Sequence, residues 1–227
     1  MPRVLFVGDS STYGFDVSDG AAFWSIVARD AGVEPIVAAA PGYSSYQSRV
    51  LLGRFLPLHP DWVVLFVGGY NDHRPRQYYE DAEIPARMAR RHAAWHGVRA
   101  LQAGELVANL AGRWIDRNLR DSEQTLRVPP ARFDENLRAM LDAARAADAR
   151  TLVLIPPFSP ELRAARPILA VYEDTLLARA REAGAERIDL GPLFADAEAF
   201  RFDHVHPSAL GHQRIAAAIT AVLRAAQ

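Results

Sequence analysis

Arg3-Val4-Leu5-Phe6-Val7-Gly8-Asp9-Ser10 opens the chain with an apolar run that stops at a glycine and two polar residues. Val4 to Val7 show no polar alternation, which suits a strand buried on both faces, as in a parallel sheet. Gly-Asp-Ser is the chemistry of turns and helix caps. Similar runs recur at 35–39, 62–67, 151–155 and 186–190. Helical stretches fall at about 20–31, 45–55, 133–147, 165–183 and 208–225. In the last, Ile215, Ile219, Val222 and Leu223 recur at helical spacing behind the start signal Pro207-Ser208. Strands alternating with helices predict a three-layer α/β/α sandwich on a five-stranded parallel sheet, with right-handed crossovers.

The rhythm breaks once. From His73 to about Pro130 the chain carries arginine- and alanine-rich helical stretches with Tyr78, Tyr79, Trp95 and Trp114, and no convincing strand. That is too long for a plain βα connection. It is expected to be a mainly helical insertion, at 73–130, into a single domain spanning 1–227. Leaving from the carboxyl end of a strand, where open α/β folds bind ligands, it could be a lid or pocket wall. A packed structural appendage is the other reading.

The 26 basic and 27 acidic residues nearly cancel, without long runs of either sign. The sequence therefore gives no support for a nucleic-acid or anionic-membrane partner. Every basic residue is arginine, and their scatter fits a coding bias better than an anion site. The absence of cysteine excludes disulfides, thiolate metal ligation and a cysteine nucleophile. The first apolar run is too short for a signal peptide, and no other stretch is long enough to span a bilayer. The chain as it stands reads as cytoplasmic, and no pattern in it specifies an oligomeric state.

Three polar clusters follow predicted strands or precede the last helix. Gly8-Asp9-Ser10-Ser11-Thr12-Tyr13-Gly14 is a helix cap, a phosphate cradle or a nucleophile turn, since a hydroxyl needs an adjacent base to attack. Gly68-Gly69-Tyr70-Asn71-Asp72 is a turn, or it presents an amide donor to an oxyanion. In Asp203-His204-Val205-His206-Pro207 the three-residue spacing lets the Asp203 carboxylate reach His206, fix its tautomer and support an imidazolium. Asp203, His204 and His206 could instead begin a metal site, completed by His73, His212 or carboxylates. The sequence lacks a Gly-x-Ser-x-Gly elbow, a Ser-x-x-Lys pair, a Walker loop, a His-Glu-x-x-His motif and a dinucleotide fingerprint.

With these blocks in this order, the chain resembles the SGNH hydrolases, the GDSL-type esterases and lipases, over nearly its whole length. Gly8-Asp9-Ser10 matches the first block of that family. Ala40-Pro41-Gly42-Tyr43-Ser44-Ser45 is similar to the second, Gly69-Tyr70-Asn71-Asp72 to the third, and Asp203 through His206-Pro207 to the last. Two positions depart from the pattern. Ser11 puts a second hydroxyl after the nucleophile, and Val37 stands where the second block often begins with asparagine.

The resemblance implies a flavodoxin-like SGNH hydrolase fold and acyl transfer through Ser10, with His206 as base and Asp203 as its orienting group. The oxyanion hole would be the N–H groups of Ser10 and Gly42 and the Asn71 amide. A small-molecule ester or thioester would be the substrate, water or another acceptor would take the acyl group, and no metal or organic cofactor is expected. Asp72 is expected to anchor the Asn71 loop, and His73 to be a partly exposed loop histidine. His204 reads as a neighbour and His212 as structural. Asp9, Tyr43, Tyr70, His73, Phe158 and Val205 are candidate pocket residues. A metal-dependent hydrolase and a catalytically dead binding module are the readings from other classes.

Overall fold

In the computed structural model, residues 1–74, 80–86 and 126–226 are described. Five parallel strands, β1 (Arg3–Gly8), β2 (Glu34–Ala39), β3 (Trp62–Phe66), β4 (Arg150–Ile155) and β5 (Glu186–Asp189), form one sheet in the order β2-β1-β3-β4-β5. Side chains of the central strands alternate between two buried faces. Leu5, Val7, Val63, Leu65, Val153 and Ile155 enter one core, and Val4, Phe6, Val64, Phe66, Leu152 and Leu154 the other. At about 1.5–3 kcal/mol for each large side chain fully removed from water, these strands anchor the domain.

Helices α2 (Phe23–Ala31) and α7 (Ala209–Ala225) cover the face with Phe6 and Phe66. Helices α3 (Ser45–Phe55), α4 (Pro130–Ala146) and α6 (Ile168–Glu182) cover the other. The short helices α1 (Ser10–Tyr13) and α5 (Pro160–Ala165) sit directly after β1 and beyond β4. This is the expected α/β/α sandwich on five parallel strands. The chain leaves β1 for one face and β2 for the other, so the strand order reverses at β1. In open sheets that switch point is where a ligand crevice forms.

Helix ends differ from the sequence reading where proline acts. The helix expected from 133 starts at Pro130, because a proline at the first helical position has its φ already set and needs no N–H partner. The helix expected over 165–183 is α6, which starts only at Ile168, and the separate short helix α5 precedes it. Arg166 precedes Pro167 and is forced out of the helical region, to φ −137° and ψ 69°.

Of the 73–130 insertion, residues 75–79 and 87–125 lie outside the described residues, and its lid or wall role with them. Its described ends are clasped together. Arg127 N–H donates to Arg74 C=O at 2.9 Å, Asp81 N–H to Arg127 C=O at 3.2 Å, and Val128 N–H to Asp72 C=O at 3.0 Å. The Tyr172 hydroxyl holds the Val128 carbonyl at 2.6 Å, and Val128 itself is buried in the α3–α4–α6 core. Among the described residues no helix is long and apolar enough to cross a membrane.

Candidate active site

Gly8 pairs with Ala39 on one side and Phe66 on the other, so the loops after β1, β2 and β3 start level with one another. The glycine is required there. A Cβ on Gly8 would lie 2.1 Å from Thr12 Oγ1 and 2.6 Å from the Phe66 carbonyl oxygen, closing the sharp turn into α1. Asp9 caps α1 by accepting the Ser11 N–H on Oδ1 at 2.9 Å. Ser10 is the first residue of that helix and is buried.

The last loop reaches Ser10 from β5. His206 Nε2 stands 2.8 Å from Ser10 Oγ, and His206 Nδ1 stands 2.5 Å from Asp203 Oδ2. Asp203 Oδ1 accepts the N–H groups of Val205 and His206, both at 3.0 Å. Burial pushes the Asp203 carboxyl up, but the His206 ring and these two N–H groups outweigh it and hold the acid below the usual carboxylate range. With Asp203 ionised, Nδ1 carries the proton and Nε2 is free to accept from Ser10. Its contact is to Ser10, and not to the neighbouring Ser11. Both ring nitrogens are thereby engaged, and among the described residues no group of three or more His, Asp or Glu side chains is placed to hold a metal ion.

Asn71 joins the three adjacent loops. Its buried side-chain amide donates to Asp9 Oδ2 and to the Tyr43 carbonyl, both at 3.0 Å. Both N–H bonds of that amide thus have acceptors within the protein. Burial pushes the Asp9 carboxyl up to about 6, against the pull of the Ser11 N–H, the His206 charge and the Asn71 amide. Gly42 has a φ of +78°, and a Cβ there would meet nothing within 4 Å. The residue is glycine for its backbone conformation, and the space beside it is open.

Asp72 anchors its loop to the start of α3, accepting the Ser45 N–H at 3.1 and 3.2 Å on its two oxygens and the Ser45 hydroxyl on one of them. Asn136 of α4 donates to that hydroxyl at 3.1 Å. Burial pushes the Asp72 carboxyl up to about 7, despite the Ser45 donors and the nearby Arg127 charge. His73 corrects the sequence reading: it is buried, with Nδ1 3.2 Å from the Gly69 carbonyl and its ring edge-on to Tyr70 at 5.3 Å. Its N–H also donates to Gly69 C=O at 2.9 Å, so the helical turn after Gly69 folds the ring inward. That burial lowers its basicity.

His204 is exposed, and His212 is buried with Nδ1 accepting the Phe23 N–H at 3.2 Å, tying α7 to α2. Of the remaining candidate pocket residues, Val205 and Tyr43 contribute backbone groups next to the site, at Asp203 and Asn71. Phe158 packs over Gly68, whose Cβ would lie 3.6 Å from its ring.

Sequence reasoning missed two neighbours. The Phe15 ring lies 4.9 Å from that of His206, tilted by 39°, and 43% of its surface is exposed. An aromatic residue just past the Gly14 helix stop was the available signal. Arg127, from the far end of the insertion, donates to the Gly42 carbonyl at 2.7 Å. No local pattern announces that contact.

The model of the GDSL-like lipase/acylhydrolase family matches residues 6–214. No curated protein matches the sequence significantly. The fold is similar to that of the lipase/acylhydrolase from Enterococcus faecalis, with a TM-score of 0.67 and 18% identity over 99% of this chain and 96% of that one. It is similar to TesA, with a TM-score of 0.66 and 17% identity over 97% of each chain. The acetyl xylan esterase AlAXEase aligns with a TM-score of 0.62 and 19% identity over 97% of this chain and 98% of that one. At these identities the likeness concerns the fold.

Proposed function

The chain belongs to the GDSL-like lipase/acylhydrolase family, whose members hydrolyse ester bonds, and from that premise we propose that it cleaves a small-molecule carboxylic ester or thioester through an acyl-Ser10 intermediate. What carries the reading is the unbroken chain Ser10 Oγ–His206–Asp203, with contacts of 2.8 and 2.5 Å. His206 Nε2 takes the Ser10 proton as Oγ attacks the carbonyl carbon, and Asp203 stabilises the imidazolium. The tetrahedral oxyanion is held by the Ser10 and Gly42 N–H groups and by an Asn71 N–H that turns from Asp9 or Tyr43. His206 then protonates the leaving alcohol or thiol as the carbon–heteroatom bond breaks. Water, deprotonated by His206, attacks the acyl-serine and releases the acid. No step needs a metal or organic cofactor.

Labelling with a fluorophosphonate, mapped by mass spectrometry, tests the assignment. The label is expected on Ser10, with activity unaffected by chelators, and Ser10→Ala and His206→Ala are expected to fold normally and lose ester hydrolysis. An active Ser10→Ala enzyme, or a label on Ser11, overturns the reading. A panel of chromogenic esters of increasing chain length then gives the acyl preference.

A further inference from the structure

We propose that Arg127 is a positioning residue of the oxyanion hole: by holding the carbonyl of the Gly42–Tyr43 peptide it fixes the backbone conformation of Gly42, and so the direction of the N–H on the preceding peptide; this rests on the esterase reading above. A glycine populates positive and negative φ about equally, and the local restraint on the +78° of Gly42 is one long turn bond, from the Tyr43 N–H to the Ala40 carbonyl at 3.2 Å. Its loop needs outside anchors, and two contacts supply them. Asn71 holds the Tyr43 carbonyl at 3.0 Å, and Arg127 Nη1 holds the Gly42 carbonyl at 2.7 Å. Asn71 is itself the oxyanion's side-chain donor and has to redirect an N–H bond during turnover. Arg127 is the anchor that turnover does not draw on.

The guanidinium is built into place. Its Nε donates to Asp81 Oδ1 at 2.9 Å and its Nη2 to Gln47 Oε1 at 2.8 Å. Asp81, buried to 3% exposure, takes the Ser44 hydroxyl on its other oxygen at 2.5 Å. Gln47 Oε1 also accepts the Ser44 N–H at 2.9 Å, at the start of α3. One planar fork therefore ties the loop after β2, the first turn of α3 and the end of the insertion together. A lysine, with a single ammonium, cannot reproduce three divergent bonds. Arg127 and Asp81 also wall a polar cleft of about 230 Å³, through which a free guanidinium ion can reach the vacated position.

Arg127→Lys and Arg127→Ala test this through kcat, KM, the affinity for a trifluoromethyl ketone that forms a tetrahedral oxyanion adduct, and melting temperature. Both variants are expected to lose about tenfold to a hundredfold in kcat with KM little changed, a fraction of the loss of a whole oxyanion donor. Adduct affinity is expected to fall by the same factor, and guanidinium chloride at about 10–50 mM to restore part of the activity of Arg127→Ala. If Arg127→Ala melts below the assay temperature, Arg127→Lys, which keeps a cation on Asp81, carries the test. Unchanged kcat and adduct affinity in a folded variant overturn the proposal. So does a kcat loss without a matching loss of adduct affinity, because that is instability alone. Wild-type protein that fails to take the fluorophosphonate at Ser10 instead refutes the esterase reading, and this role falls with it.

Discussion

Replacing Asp203 with asparagine separates the carboxylate's charge from its shape, and the structure fixes which way the amide must sit. Asp203 Oδ1 accepts two backbone N–H groups, from Val205 and His206, while Oδ2 faces His206 Nδ1. An amide turned with its NH2 toward those two N–H groups would leave both without an acceptor, at about 1–3 kcal/mol each if buried. The favoured orientation keeps the oxygen on the backbone and points the NH2 at Nδ1. That nitrogen must then accept, so the imidazole proton moves to Nε2, which can no longer take the proton of Ser10. The same tautomer error in a serine-protease triad costs about 10⁴-fold in kcat, equivalent to about 5.5 kcal/mol of barrier. Because the shape and both backbone bonds survive, the melting temperature of Asp203→Asn is expected to fall by less than about 5 °C. Stopped-flow hydrolysis of a chromogenic acetate, together with the rate of fluorophosphonate labelling, measures the effect. A folded Asp203→Asn enzyme within tenfold of wild type in either rate refutes the tautomer argument.

Gly42 and Gly69 share a φ of +78° but not their surroundings, since a Cβ on Gly69 would lie 2.6 Å from the buried Tyr172 ring. Gly42→Ala is expected to cost only the backbone strain, about 1–2 kcal/mol or roughly 2–8 °C of melting temperature. Gly69→Ala adds overpacking, about 1–3 kcal/mol more, and equal losses by calorimetry would contradict the distinction. Two buried groups give opposite pH dependences. Burial lowers His212 to about 4, so the unfolded chain takes its proton first and this contribution to stability is lost as pH falls from 6.5 toward 4. Burial raises Asp72 to about 7, so the folded state keeps its proton longer and this contribution is lost as pH rises from about 4 through 7. Each is worth on the order of 3–4 kcal/mol at its limit. Relative to wild type, Asp72→Asn is expected to gain stability between pH 5 and 8, and His212→Asn to gain it between pH 6 and 4. Parallel denaturant melts across that range check both, and coincident pH profiles would show the burial assignments to be wrong.

The sandwich was legible because each central strand is a continuous apolar run, and runs such as Val4–Val7 and Val63–Val67 can only satisfy both faces inside a sheet. The contact of Asp203 with His206 was legible for a different reason, while the pairing of His206 with Ser10 came from the resemblance of the four ordered blocks to the family. The i to i+3 spacing of Asp203 and His206 is local, and the strand-end position of Gly8-Asp9-Ser10 follows from the fold. The burial of His73 was not legible, because it depends on the direction of the turn after Gly69 and on Tyr70 beside it. The contact of Arg127 with Gly42 joins residues 85 positions apart through a side chain, and one arginine among 26 basic residues carries no local mark.

The loops after β1, β2 and β3 are tied to one another and to the insertion by carboxylate side chains. Asp9, after β1, takes the amide of Asn71, after β3. Asp72, after β3, takes the N–H and hydroxyl of Ser45, after β2. Asp81, in the insertion, takes Ser44 and Arg127. Each acid crosses from one loop to the next; Asp72 and Asp81 are buried and Asp9 is partly so, and a carboxylate in such a place is costly unless fully bonded. Apolar contacts in these places would stabilise the fold more, but they are non-directional and leave a glycine loop free to turn. Hydrogen bonds to a fixed carboxylate set both distance and angle, which an oxyanion hole requires to within about 0.5 Å. The stability forgone is visible in the raised acids Asp9 and Asp72, and it falls on the loops that present Ser10, Gly42 and Asn71. The acids that weaken this fold near neutral pH are therefore those that position the donors proposed for its oxyanion hole.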